Sequence, residues 1–228
     1  VFREGQAHQR LDDLVFTYVD TIAKLRPKVA ILENVKGLLA GNAKVYAKEI
    51  VKRLRGHGYT VQVFLLNAAT MGVPQMRERC FFIARQDATW PDLVLKFEED
   101  PIPFRAFDQG AAVARKPISP SYLKYWQGAD ESGRSTTSKG NTFGYLFKCQ
   151  QDGPCATVLA STSTNYCHPT QPKRLTDDEI IQVGSYPLDY ALGENEPQYL
   201  IGMSVPPVMT AQIAHQINLH WFSQIKDQ

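Results

Sequence analysis

Apolar residues along this chain follow two rhythms, one helical and one extended. From residue 11 to 25, Leu11, Leu14, Val15, Ile22 and Leu25 recur at helical spacing with Asp12, Asp13 and Asp20 between them, which predicts an amphipathic helix. Arg26-Pro27 stops it. The unbroken run Val29-Ala30-Ile31-Leu32 then reads as a buried strand of a parallel sheet, with Glu33 at its carboxyl end, the edge of an open α/β sheet where ligands bind. Asn42 is placed to cap a second helix carrying Val45, Tyr46, Ile50, Val51 and Leu54, closed by Gly56 and Gly58. Residues 59–66, rich in Val, Tyr and Phe, predict another strand, so the segment reads as a strand-helix-strand unit with a right-handed crossover.

A loop from Asn67 to Pro74 leads into Gln75-Met76-Arg77-Glu78-Arg79 and the apolar run Cys80-Phe81-Phe82-Ile83-Ala84, a third strand. Gln75, Arg77 and Arg79 alternate, so an extended backbone turns all three to one side. Two guanidiniums and an amide there suit phosphates or base edges; a solvated edge strand with ion pairs to Glu78 has the same pattern. From residue 86 to 171 helical periodicity fades, proline, glycine, serine and threonine increase, and residues 143–147 and 156–159 read as brief strands. Residues 127–141 read as a mobile loop. Lys116, Lys124, Arg134, Lys139 and Lys148 lie in this region beside Tyr122, Tyr125 and Trp126, a mixture found both in nucleic-acid contacts and on solvated surfaces. Thr176, followed three residues later by Glu179, predicts a capping box opening a short helix to about Val183. A Gly202-Met203-Ser204 turn before Pro206-Pro207 and a last helix would present backbone amides to an anion.

Composition narrows the class. The chain of 228 residues has room for one large domain and a smaller one, and its net charge of +2 carries no strong nucleic-acid footprint, though a local basic surface is compatible with it. Cys80, Cys149, Cys155 and Cys167 lack metal-like spacing, no signal peptide is visible, and no apolar run reaches membrane length, which together predict a reducing cytoplasm, no metal site and no membrane. The chain opens at Val1 inside what reads as an element in progress, the expectation for a fragment.

Taken in order, these segments resemble the cytosine-5 DNA methyltransferases. Glu33-Asn34-Val35 is similar to that family's Glu-Asn-Val motif, and Gly72-Val73-Pro74-Gln75-Met76-Arg77-Glu78-Arg79 to its Gln-x-Arg-x-Arg motif with a Gly-Val-Pro lead. The stretch from His168-Pro169 to Pro187 is similar to its Arg-x-Leu-Thr segment, and Gly202 to Pro207 to its Gly-Asn-Ser-Val-Pro-Pro. The resemblance implies an α/β fold: a partial Rossmann-like methyltransferase sheet over residues 1–85, a smaller, irregular, β-containing target-recognition domain over 86–171, and a return to the catalytic domain over 172–228. It also implies methyl transfer from S-adenosylmethionine to C5 of a flipped-out cytosine in double-stranded DNA, in a bacterial or phage-encoded, nucleoid-associated cytoplasmic enzyme linked to restriction-modification.

In that family a cysteine thiolate adds to C6 while a carboxyl group at N3 offsets the charge that develops on the ring. The resemblance assigns that carboxyl to Glu33 and the O2 contact to Arg79. Arg77 would support the closed loop or the DNA backbone, Gln75 would help order the loop, and Asn34 would brace Glu33. Leu14 and Ser204 would lie near the cofactor. The departures are equally definite. Neither the glycine-rich cofactor loop nor a Pro-Cys-Gln nucleophile occurs, and Pro154-Cys155 is followed by Ala156 and sits after the variable region. Met203 replaces the family asparagine, and Asp178 stands where arginine is common. The expectation is therefore a carboxyl-terminal portion, inactive alone, completed by about 90 residues of the same chain or of a second subunit. The other readings are a non-catalytic DNA-binding or regulatory chain, one subunit of a split enzyme, and an RNA cytosine methyltransferase.

Overall fold

A computed structural model describes residues 10–224, and these fall into two compact units that alternate along the chain. The first takes in residues 10–66, 78–95 and 215–224; the second takes in 67–77 and 96–214.

The first unit begins with α1 (Arg10–Leu25), followed by β1 (Val29–Val35), α2 (Lys44–Gly56), β2 (Thr60–Asn67) and, after the loop of the second unit, β3 (Glu78–Arg85). Both helices pack on one face of the sheet: Val19 and Ile22 of α1 and Ile50 and Leu54 of α2 are buried against Ala30, Leu32 and Phe82. Leu14 and Leu25, expected on the apolar stripe of α1, are 59% and 72% exposed. Each helical residue turns by about 100°, so a wheel centred on Val19 and Ile22 carries those two leucines to its margins. The side chain of Leu11 lies outside the described residues.

Strand order is β1-β3-β2, and β1 runs antiparallel to β3, with Val29 opposite Arg85, Glu33 opposite Phe81 and Val35 opposite Arg79. The reading of β1 as a strand of a parallel sheet is thus corrected for its pairing: its neighbour β3, which lies between β1 and β2, runs antiparallel to it. The apolar run reads as a strand covered on both faces, the mark of parallel sheets, but Ile31 is 42% exposed while Ala30 and Leu32 are buried, the alternation of an antiparallel pair with one open face. Asn42 does not cap α2 either. It sits in a 3-10 turn, Gly41–Ala43, and the helix starts at Lys44 without a side-chain cap.

The second unit holds α3 (Leu123–Gln127), a two-stranded parallel sheet of β4 (Leu146–Lys148) and β5 (Asn165–Cys167), α4 (Asp177–Val183), α5 (Pro197–Met203) and most of α6 (Pro207–His220). Phe104, Val158, Tyr166, Val183 and Ile201 centre its core. The capping box is present: Thr176 Oγ1 accepts from the Glu179 amide at 3.1 Å, and Glu179 Oε2 accepts from the Thr176 amide at 2.9 Å. Residues 156–159 form no strand; Val158 instead bonds to the side chain of Gln75. Gly202 lies in the last turn of α5, and the Ser204 amide donates to the carbonyls of Leu200 and Ile201, so this amide is not presented to an anion. Among the described residues no helix is long and apolar enough to cross a membrane.

Candidate active site

The antiparallel register brings Glu33 and Arg79 together. Arg79 faces Val35 and Glu33 faces Phe81, so the two side chains are diagonal neighbours on one face of the β1–β3 ribbon, within reach of long side chains. Arg79 Nε meets Glu33 Oε1 at 2.8 Å, with the guanidinium side chain 13% and the carboxylate side chain 31% exposed. Arg79 Nη1 also donates to the Glu78 carbonyl at 2.9 Å. A second pair, Lys36 Nζ to Glu78 Oε2 at 2.8 Å, lies more openly in solvent. The sequence pattern marks neither Lys36 nor Glu78 as a site residue, because the antiparallel pairing that makes them neighbours is non-local.

Asn34 holds the end of β1. Its Oδ1 accepts from the Val35 amide at 2.8 Å, and its backbone carbonyl accepts from the Cys80 thiol at 3.3 Å. Burial, reinforced by the nearby Glu33 charge, pushes the Cys80 thiol up to about 11, so it remains protonated beside the pair.

Gln75 and Arg77 do share one side of an extended segment, as their spacing requires, but that side is the interior of the second unit. Both are fully buried. Gln75 donates to the Val183 carbonyl at 3.1 Å and accepts from the Val158 amide at 3.0 Å and from Arg77 at 3.2 Å. Arg77 donates to the carbonyls of Val158 at 2.9 Å and Gly202 at 2.7 Å. The exposed face expected for phosphates or base edges is therefore corrected for these two residues: each orders the loop rather than reaching out of it. Gly72 enters that loop with φ +74°, and a Cβ there would lie 2.7 Å from Glu99 Oε2, so the turn requires glycine.

The remaining sequence candidates are scattered. Leu14 belongs to the first unit and Ser204 to the second, where its hydroxyl donates to the Ile201 carbonyl at 3.0 Å. Neither lines the two large cavities, of about 400 and 610 Å³. Cys155 is buried, its Sγ 3.1 Å from that of Cys149, and its backbone pairs with the loop at Gln75. It has the setting of a core residue. In the second unit, Tyr125 stacks on Phe143 at 3.7 Å, Lys124 lies over Tyr125 and Lys148 over Trp126.

A buried charge cluster escaped the sequence reading. Arg115 pairs with Glu179 and, at 3.0 Å, with Asp108, and His168 Nε2 lies 3.2 Å from the same carboxylate. The capping box accounted for Glu179 alone, and nothing in the spacing pointed to a guanidinium 64 residues away.

Residues 2–103, which contain both the Glu33 and the Arg79 segments, match the family model described as C-5 cytosine-specific DNA methylase. The Type II methyltransferase M.AplI of Arthrospira platensis is 31% identical over 219 residues, covering 89% of this chain and 60% of that protein. The chain is similar to the cytosine-5 DNA methyltransferases along these stretches. A second relative, the Type II methyltransferase M.DdeI of Desulfomicrobium norvegicum, is 25% identical, with 92% of this chain and 67% of that protein aligned. The chain thus spans about 60–67% of the length of these two methyltransferases. The fold is shared by solved structures as well. Entamoeba histolytica methyltransferase EhMeth superposes with a TM-score of 0.68 at 16% identity, covering 96% of this chain and 71% of that one. A Spodoptera frugiperda DNMT2 mutant gives 0.68 at 14%, covering 95% and 75%.

Proposed function

We propose that this chain carries the base-activating and target-reading parts of a DNA (cytosine-5) methyltransferase, a protein that transfers a methyl group from S-adenosylmethionine to C5 of a flipped-out cytosine in duplex DNA. The observation that carries the reading is the 2.8 Å Glu33–Arg79 pair, built from two family motifs by the β1–β3 register. Cytosine offers the matching groups along one edge, N3 and O2. A carboxyl group at N3 donates a proton or hydrogen bond as a nucleophile adds to C6, and a guanidinium at O2 holds the ring and stabilises charge on that oxygen. Before the base enters, Glu33 and Arg79 satisfy one another, so neither is left as a bare, half-buried charge. Asn34, through its carbonyl contact with Cys80, fixes the strand end on which Glu33 sits.

Residues 86–171 act as the target-recognition domain in this reading, supported by the cations and stacked aromatic side chains around Tyr125 and Phe143. Gln75 and Arg77 are positioning residues. Leu14 and Ser204 are the chain's contribution to the cofactor side, with the donor's remaining contacts supplied from outside these two residues. The attacking thiolate comes from outside this chain, since all four thiols here are buried.

The test uses duplex DNA with 5-fluorocytosine at the target site and the native polypeptide that contains this chain. Expected are a covalent adduct that survives denaturation and, for Glu33→Gln, turnover lowered by about 10²–10⁴-fold with DNA affinity changed less than about threefold. Salt-sensitive DNA binding with no adduct would move the chain to the non-catalytic, DNA-binding class. An adduct with undiminished turnover in the Glu33→Gln variant would remove Glu33 from the chemistry.

A further inference from the structure

Helix α2 concentrates positive charge to a degree the whole chain does not. Lys44, Lys48, Lys52, Arg53 and Arg55 stand against the single carboxylate Glu49, a surplus of four in thirteen residues, whereas the chain totals +2. Arg53 is accounted for: it bonds Glu49 at 2.8 Å and lies over the Phe16 ring at 4.2 Å. Lys52 is loosely near Glu49 at 3.9 Å. Lys44, Lys48 and Arg55 form no ion pair among the described residues. Lys44, Lys48 and Lys52 follow one another at i, i+4 and i+8, so like charges face one another along a single edge, an arrangement that weakens an isolated helix.

That edge borders a groove of about 610 Å³, entirely within the first unit, whose floor is apolar: Leu39, Val51, Val63 and Phe82. Val63 remains 40% exposed there. From Lys44 to Arg55 the helix advances about 16 Å, the length over which a partner helix presents apolar anchors at i, i+4, i+7 and i+11. A phosphate backbone would suit the cations but has nothing apolar to place against the floor. An amphipathic helix with leucine-like residues on one face and carboxylates flanking them satisfies both features.

We infer that the α2–β2 groove is a docking site for an acidic amphipathic helix of a partner protein, with the apolar floor taking its anchors and Lys44, Lys48, Lys52 and Arg55 meeting its carboxylates. Charge complementarity sets the orientation and the encounter rate, and burial of the anchors supplies the affinity. The inference is independent of the Glu33–Arg79 chemistry and does not require methyl transfer.

The probe is a fluorescein-labelled 16-residue helical peptide with leucine at i, i+4, i+7 and i+11 and glutamate elsewhere on the flanks, titrated with the 228-residue chain by anisotropy. Expected is saturable binding, at least about tenfold weaker for a peptide of the same composition with its leucines scattered. Lys48→Glu with Lys52→Glu should weaken binding about tenfold and regain it on a lysine-flanked peptide, and Val63→Ser should weaken it without altering charge. Both lysines are exposed, so circular dichroism should show an unchanged fold. No saturable binding, or equal binding of the scattered peptide, overturns the docking site. So does a 20-base-pair duplex that displaces the peptide and responds to the lysine changes while Val63→Ser is without effect, which would assign the stripe to nucleic acid.

Discussion

Arg77 and Arg79 stand two positions apart and have different work. Arg79 keeps part of its surface open and faces a single carboxylate, whereas Arg77 is enclosed and donates to the carbonyls of Val158 and Gly202. Their shared side was legible in the alternating pattern; whether that side met solvent or the interior was not, because period two fixes direction but not surroundings. Two outcomes follow from the difference. Arg77→Met should lower stability by about 2–5 kcal/mol, read from the urea midpoint, because two buried carbonyls lose their donors. Arg79→Lys should leave that midpoint within about 1 kcal/mol and lower turnover of the native polypeptide about a hundredfold, since a point charge cannot reproduce the planar guanidinium at a base edge. The thiols supply a further check. Burial pushes Cys80 up to about 11 and Cys167 up to about 12, and Cys149 well above its ordinary range through its contact with Cys155 and its burial. Native chain at pH 8 should therefore give less than one thiol to an aromatic disulfide reagent, and all four after denaturation. Rapid labelling of Cys155 would reopen it as a nucleophile.

At the scale of elements, what the pattern conveyed depended on where the information sat. Local information was readable: the amphipathic rhythm placed α1, the unbroken apolar run placed β1, and the Thr176–Glu179 pair placed the start of α4. Non-local pairing was not. The insertion of β3 between β1 and β2 depends on partners about 50 residues apart, and the three-residue strands β4 and β5 are too short to show a period. Helix α5 was missed because Gly202 reads as a turn residue. The structure shows why a glycine stands inside a helix: a Cβ at 202 would lie 2.2 Å from the Ala160 amide nitrogen and 2.3 Å from the Leu159 carbonyl carbon. Backbone atoms cannot move aside as a side-chain tip can. Gly202→Ala should accordingly destabilise the second unit by more than the roughly 1 kcal/mol that alanine ordinarily gains over glycine in a helix, lowering the melting midpoint by several degrees. A midpoint that rises would mean α5 has room to shift.

At the scale of the whole molecule, charge decides how stability responds to pH. A chain of +2 carries 23 carboxylates and 25 lysines and arginines, so acid both removes its attractions and leaves it strongly positive. The group whose response can be followed is Asp108. Burial pushes its carboxyl up, but the Gly110 amide, His168 and the Arg115 guanidinium outweigh that and hold it below the ordinary carboxylate range. The same carboxylates hold Arg115 firmly charged, with Glu179 the larger influence. A carboxyl lowered in the folded state binds fewer protons there than in the unfolded chain. Its stabilisation is thus complete above the unfolded value near 4 and disappears as the pH falls through the lower, folded value. Asp108→Asn removes the charge at every pH while keeping the shape. At pH 7 the variant should be less stable by about 1–3 kcal/mol, having lost charged hydrogen bonds to Arg115 and His168. Measured in urea from pH 7 down to 3, the gap between the two proteins should hold to about pH 5 and then narrow, because the wild-type chain loses in acid what the variant never had. A gap that stays constant to pH 3 would show that Asp108 contributes through packing alone.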